Sequence, residues 1–280
     1  MYNEKNQQMK DEFEAPVDYV LEKKIPVLIR VDGKAFHTFT KGFKRPFDDI
    51  LRNSMKNTML RLCLDIQGCV FGYEQSDEIT LVLIDYQNPT SSAWFDYRIQ
   101  KVASTAAGLA TCFFNQELAK NINAFVNGRK ESEMTSEELK YLERIRRAQE
   151  KGAVFDGRCF NVPQDMVFDR IMGRQIDAIK NSISVTGQTY FSQKELNKKS
   201  TKEIVEMLKE KNIMWEEFPV EYQRGAACYK TPQTIIGPSG TKVTRNKFQI
   251  DDQMPVLMAD GSNRDYIDKF LKGEDSRCQT

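Results

Sequence analysis

The stretch Cys69–Ile84, CVFGYEQSDEITLVLI, decides the fold. Val70–Tyr73 is apolar, Glu74-Gln75-Ser76-Asp77-Glu78 is an acidic break, and Ile79–Ile84 is apolar again, so the stretch reads strand, break, strand. Carboxylates set between two buried strands are costly, because an unpaired charge beside an apolar core costs several kcal/mol or is neutralised. A divalent metal held by carboxylate oxygens offsets that cost. A second apolar run, Pro26–Val31 (PVLIRV), leads into Asp32-Gly33. If these strands are neighbours in one sheet, Asp32 and Asp77 meet at one edge and can share an ion. Taken singly, Asp32 is a turn residue before Gly and Ser76-Asp77-Glu78 an ordinary hairpin loop. Taken together they point to a site.

Outward from these strands, Pro46 suits the first turn of a helix marked by Leu51, Met55, Met59 and Leu62. After the loop Asn88–Ser92, the repeat Phe95, Ile99, Val102, Ala106, Leu109, Phe113 predicts a long amphipathic helix. Val154–Val162 (VFDGRCFNV) reads as a strand interrupted at Asp156-Gly157. The order is β-α-β-β-α-β, an α+β ferredoxin-like arrangement with helices on one face of the sheet, as in the palm of many nucleotide polymerases and cyclases. The expected organisation is a palm domain over 1–225, with a helical insertion near 127–152, and a β-rich extension over 226–280 with a closing helix Asn263–Lys272. Thr135-Ser136-Glu137-Glu138 opens the insertion as a helix N-terminus. Asp165–Phe191 and Lys202–Lys211 are helical in pattern, and residues 1–14 are charged and weakly helical.

Composition narrows the class. In 280 residues, 40% hydrophobic, there is ample core, and a net charge of +1 means that any nucleic-acid surface is a local patch. The candidates are Arg144–Lys151 and Lys194–Lys202, with an ordinary solvated helix the plainer reading of the first. Six scattered cysteines (Cys63, Cys69, Cys112, Cys159, Cys228, Cys278), without CxxC, argue against zinc and against a disulfide framework. The polar N-terminus is neither signal nor transit peptide, and no apolar run approaches the ~20 residues of a membrane span. A cytoplasmic protein with no membrane association is expected. Two or three oxygen ligands on such a palm match two-metal phosphoryl transfer. Lys34, Lys44 and Arg45 can offset phosphate charge, Ser76 can donate to a phosphate oxygen, and Phe36 can stack on a base. His37 is the only histidine, so no histidine relay exists.

Several strings, in order over roughly residues 25 to 225, resemble the tRNA(His) guanylyltransferase family. They are Arg30-Val-Asp-Gly-Lys-Ala-Phe-His37, Arg45-Pro46-x-Asp48, Gly72–Glu78, Arg98-x-x-Lys101-x-x-Ser104, Phe155-Asp-Gly-Arg158, Arg174-Gln175-x-Asp177 and Tyr222-x-Arg224-Gly225. The family adds nucleotides to the 5′ end of RNA. The resemblance implies that Asp32, the Gly33 carbonyl and Asp77 bind two magnesium ions, with Glu78 assisting. It implies that Lys34, Phe36, His37, Arg45, Asp48 and Ser76 line nucleotide and triphosphate sites for GTP and ATP, with Lys101 nearby and Arg174, Asn181 and Arg224 contributing. It also implies a tRNA partner and a homotetramer. Where eukaryotic members carry a His-Ile-Asn-Asn segment for adding the extra guanosine, this chain reads Ile179-Lys180-Asn181-Ser182. That departure resembles the guanylyltransferase-like proteins that repair truncated tRNA 5′ ends by copying the opposite strand. Arg224 stands where the family has Lys.

Template-dependent 3′-to-5′ addition is thus the leading expectation. The alternatives are addition of an extra guanosine to tRNA(His), a palm-type cyclase, and a tRNA-binding protein without chemistry. Gln75-Ser76-Asp77-Glu78 is not the Gly-Gly-Asp/Glu-Glu-Phe hairpin of a diguanylate cyclase. A pure binder has no need of acid facing RNA phosphate.

Overall fold

The computed structural model describes residues 2–128, 131–236 and 242–272. Residues 237–240 and Cys278 lie outside them. Six antiparallel strands form one sheet in the order β4-β1-β3-β2-β5-β6: β1 Val27–Gly33, β2 Cys69–Gln75, β3 Glu78–Leu83, β4 Phe155–Asn161, β5 Ala226–Ile236 and β6 Lys242–Asp251. The helices are α1 Tyr2–Met9, α2 Phe36–Phe39, α3 Asp49–Asp65, α4 Ile99–Val126, α5 Ser136–Lys151, α6 Val167–Tyr190, α7 Gln193–Leu196, α8 Thr201–Glu210, α9 Val220–Arg224 and α10 Asp265–Asp268. The first four strands with α3 and α4 are the expected palm. The segment expected as an extension continues its sheet, because β5 pairs with β2 from Ala226 opposite Glu74 to Tyr229 opposite Phe71.

Both faces of the sheet are covered, which explains the near-continuous apolar runs of its central strands. On one face Ile29, Val31, Ile79 and Leu81 pack with Met59 and Leu62 of α3 and with Val102, Ala106 and Phe114 of α4. On the other, Leu28, Phe71, Tyr73 and Val82 pack with Val167, Phe168 and Ile171 of α6 and with Met254, Leu257 and Ile267. The expectation of helices on one face is therefore corrected. The second face is apolar too, and α6 covers it.

Three local expectations also change. Pro46 lies outside α3, whose N-cap is Asp48, accepting from the Leu51 N–H at 2.9 Å. The long helix begins at Ile99; Phe95, Asp96 and Tyr97 all take positive φ and turn the chain before it. The closing helix shrinks to the single turn α10. The insertion does begin as the sequence suggests, with a capping box between Thr135 and Glu138. No described helix is long and apolar enough to cross a membrane.

Candidate active site

The acidic break is a two-residue turn. Glu74 and Gln75 close β2, Glu78 opens β3, and only Ser76 and Asp77 lie between, Ser76 at φ 54°. Beside the turn runs the end of β1, paired to β3 through Asp32 opposite Glu78. The Gly33 N–H donates to the Asp77 carbonyl at 3.0 Å. Asp32 and Asp77 are brought close enough that burial and then the Asp32 charge raise the Asp77 carboxyl, while a hydrogen bond from Ser76 partly offsets them. Neither carboxylate has an ion-pair partner among the described residues. Glu78 differs: it accepts from Arg174 Nε of α6 at 2.7 Å and lies 3.7 Å from Arg30. Its charge is spent tying α6 to the hairpin.

A cavity of about 370 Å³ opens next to Ser76 and Asp77. Of the residues singled out in the sequence for the site, Phe36, His37, Lys44, Arg45, Asp48, Ser76, Asp77 and Asn181 line it. Asp32 and Gly33 adjoin it through Asp77. Lys34, Glu78, Lys101, Arg174 and Arg224 are outside its lining.

Contacts reassign several of these side chains. Phe36 is 4% exposed, with its ring among Phe39, Phe114 and Phe155 at centroid distances of 5.0 to 5.4 Å, so it builds the wall and cannot stack on a base. Asp48 caps α3 and also accepts from the Lys44 N–H at 2.9 Å and the Tyr141 hydroxyl at 2.7 Å. Arg224 donates to the Met254 carbonyl at 2.8 Å, and burial lowers its pKa. Lys101 is exposed and sits over the Phe95 ring at 4.7 Å. Lys34 is exposed, with its N–H bonded to the Val154 carbonyl at 2.8 Å.

The structure adds residues that the sequence reading passed over. Phe47 and Tyr222, both on the cavity lining, stack at 4.7 Å and 18°, and Arg52 lies 5.4 Å over the Tyr222 ring. Behind them Glu74 is wholly buried, gripped by Arg52 Nη1 at 2.9 and 2.8 Å. Arg52 also bonds the Glu221 carbonyl, and Lys56 bonds the Glu221 carboxylate. Gln75 is 5% exposed, lines the cavity, and makes no side-chain hydrogen bond to another described residue. Helix α5 braces the lining at Lys44 and Asp48: Tyr141 holds Asp48, and Lys44 lies 4.9 Å over the Tyr141 ring. Only the Tyr-x-Arg-Gly string hinted at this part of the lining. A Cβ on Gly225, at φ 84°, would overlap the Glu74 carbonyl, so this glycine sets how closely α9 approaches β2.

Paired carboxylates at the end of palm strands, beside a cavity edged by Arg45 and His37, define a nucleotidyl-transferring enzyme. The sequence model for tRNA(His) guanylyltransferase matches residues 6–163, and the chain belongs to that family. A probable tRNA(His) guanylyltransferase of Dictyostelium discoideum is 28% identical, over 96% of this chain and 98% of that protein. A bacterial tRNA(His) guanylyltransferase-like protein solved with ATP superposes with a TM-score of 0.75 at 30% identity, covering 95% of this chain and 98% of that one. The GTP complex of a bacterial guanylyltransferase-like protein gives 0.73 at 29%, with the same coverage.

Proposed function

We propose that this chain repairs tRNA 5′ ends by template-dependent 3′-to-5′ addition, with ATP or GTP activating the end. The observation that carries the chemistry is the unpaired Asp32–Asp77 couple beside the cavity. The observation that favours repair is Ile179-Lys180-Asn181-Ser182 in place of the His-Ile-Asn-Asn segment, with Asn181 on the cavity wall. Similarity to the guanylyltransferase-like proteins crystallised with ATP and GTP supports both nucleotides as substrates.

The donor set suits magnesium. Asp32, Asp77 and the Gly33 carbonyl are hard oxygens, and the two half-buried carboxylates repel each other with no ion-pair partner among the described residues. No cluster of three or more His, Cys, Asp or Glu fit to hold a metal occurs among the described residues, so remaining ligands must come from backbone, water and phosphate. Bound there, magnesium would acidify the attacking 3′-hydroxyl and offset triphosphate charge. Around it, the chain's own groups hold the nucleotide. Arg45 and His37 face the phosphates from the α2–α3 side, Ser76 donates from the turn, and the cavity fixes the base. Selection of the base falls to pairing with the opposite strand, since a reacting group displaced by about 1 Å loses on the order of 10²-fold in rate.

The test is a set of truncated tRNAs differing only in the base opposite the gap, each offered all four nucleotides with magnesium. Addition of the complementary base, stopping when the stem is complete, is expected. Guanosine added whatever the opposite base, or addition confined to tRNA(His), overturns the repair reading.

A further inference from the structure

Most polar side chains on the cavity lining are already taken. Asp48 accepts from the Lys44 and Leu51 N–H groups and from Tyr141, and Arg52 grips Glu74. Thr40 Oγ1 donates to the Phe36 carbonyl at 2.8 Å, and Ser182 Oγ accepts from Trp215 Nε1 at 3.0 Å. His37, Lys44 and Arg45 are exposed and suit phosphate. Gln75 is the exception. It is 5% exposed and its amide makes no hydrogen bond to any described residue, yet neither amide atom is sealed from solvent. The opening that Gln75 keeps is therefore at its amide, on the cavity it lines. A buried amide without a partner is costly until a ligand or water fills its bonds.

The strand fixes its direction. Glu74 turns toward Arg52 of α3, so alternation along β2 sends Gln75 to the other face of the sheet. Its cross-strand partner Glu78 bonds Arg174 of α6, which identifies that face as the one α6 covers. Ala178 and Val185 of α6 line the cavity there, and Phe43, Phe47 and Leu51 add further apolar lining. Apolar walls around one unpartnered amide suit a nucleobase. Only Ser76 separates Gln75 from Asp77, which keeps it within a nucleotide's reach of the carboxylates.

We propose that Gln75 reads the edge of the activating purine and, by turning its amide over, accepts ATP and GTP alike. The inference rests on the reading that these nucleotides activate the 5′ end, and names the residue that meets their bases. An amide carries a donor and an acceptor side by side. Adenine donates from its 6-amino group and accepts at N1, whereas guanine accepts at O6 and donates from N1. A half-turn about the terminal torsion exchanges the amide oxygen and nitrogen, so two hydrogen bonds form with either base. A carboxylate at this position would accept only, and would favour guanine.

The experiment measures activation of a 5′-monophosphorylated tRNA by the full chain, with magnesium and with ATP, GTP or purine riboside triphosphate, which lacks the 6-amino group. Wild type should show similar KM values for ATP and GTP, and one on the order of tenfold higher for the analogue, because the amide oxygen is left unpaired. In Gln75→Leu the KM for ATP should rise to that of the analogue, with GTP weakened alongside and the effect falling on KM rather than kcat. A wild type that takes the analogue as readily as ATP overturns the base contact, whether or not the variant folds. A folded variant that still favours ATP over the analogue overturns it too, and both results leave the activation reading intact. A wild type that activates the tRNA with none of the three nucleotides overturns both.

Discussion

Replacing Glu74 with Gln should change how stability depends on pH, by an amount the structure supplies. Glu74 has no solvent contact, and although Arg52 and Lys56 favour its charged form, burial dominates and pushes its carboxyl from 4.5 up to about 7. A raised carboxyl pKa in the folded state contributes stability that is fully present below the unfolded value and lost as pH climbs through the folded one. At about 1.4 kcal/mol per pH unit, the swing is about 3 kcal/mol between pH 4.5 and pH 7. Glu74→Gln keeps the shape, removes the titration, and leaves Arg52 with an uncharged acceptor. Urea unfolding of both proteins at a series of pH values in that window should show the wild type losing its relative stability as pH rises, with the difference levelling off above about pH 7. Taking the difference between the two proteins cancels the other groups. A difference that stays constant over the window refutes the reasoning.

Four shorter predictions follow from the same contacts. Asp32→Ala or Asp77→Ala should abolish nucleotide addition with the fold retained, and a folded variant with near-normal activity in magnesium removes the two-metal assignment. Affinity for manganese as a spectroscopic probe should rise with pH through the raised ionisation of Asp77, and a flat profile contradicts it. Tyr141→Phe should raise the nucleotide KM up to about tenfold, by losing a hydrogen bond to a charged acceptor, with kcat nearly kept. A fall in kcat at constant KM would place Tyr141 in the chemistry instead. Gly225→Ala should unfold the protein at lower denaturant than any exposed substitution, because its Cβ meets the Glu74 carbonyl at positive φ.

Periodicity made the palm legible. The apolar stripes of α3, α4 and α6 and the runs of β1 to β3 follow directly from what each element buries. Direction was the hidden variable. Phe36 beside Asp-Gly has the look of a base platform, yet only the packed fold turns it toward Phe114 and Phe155. Asp48 has the look of a ligand, but its helix-capping geometry depends on where α3 starts. Glu78 finds Arg174 ninety-six residues away, and Glu74 finds Arg52 on a helix that precedes it. Long-range pairing of charge leaves no local trace. The left-handed turn at Phe95–Tyr97 was masked because Phe95 fits the heptad-like spacing of the helix it precedes.

Helix α5 gives the cavity an unusual dependence. One wall is secured by a sixteen-residue segment that joins the body through its Tyr141, Leu142, Ile145 and Ala148 stripe and through Tyr141 on Asp48. A segment so attached can detach locally at a lower free energy than the sheet needs to melt. On warming, nucleotide binding should then fade before secondary structure does, and bound nucleotide should delay hydrogen exchange in α5 more than in β1 to β3. The insertion acts as a thermal fuse for the cavity, so its sequence can tune the enzyme's working temperature while the carboxylates stay as they are.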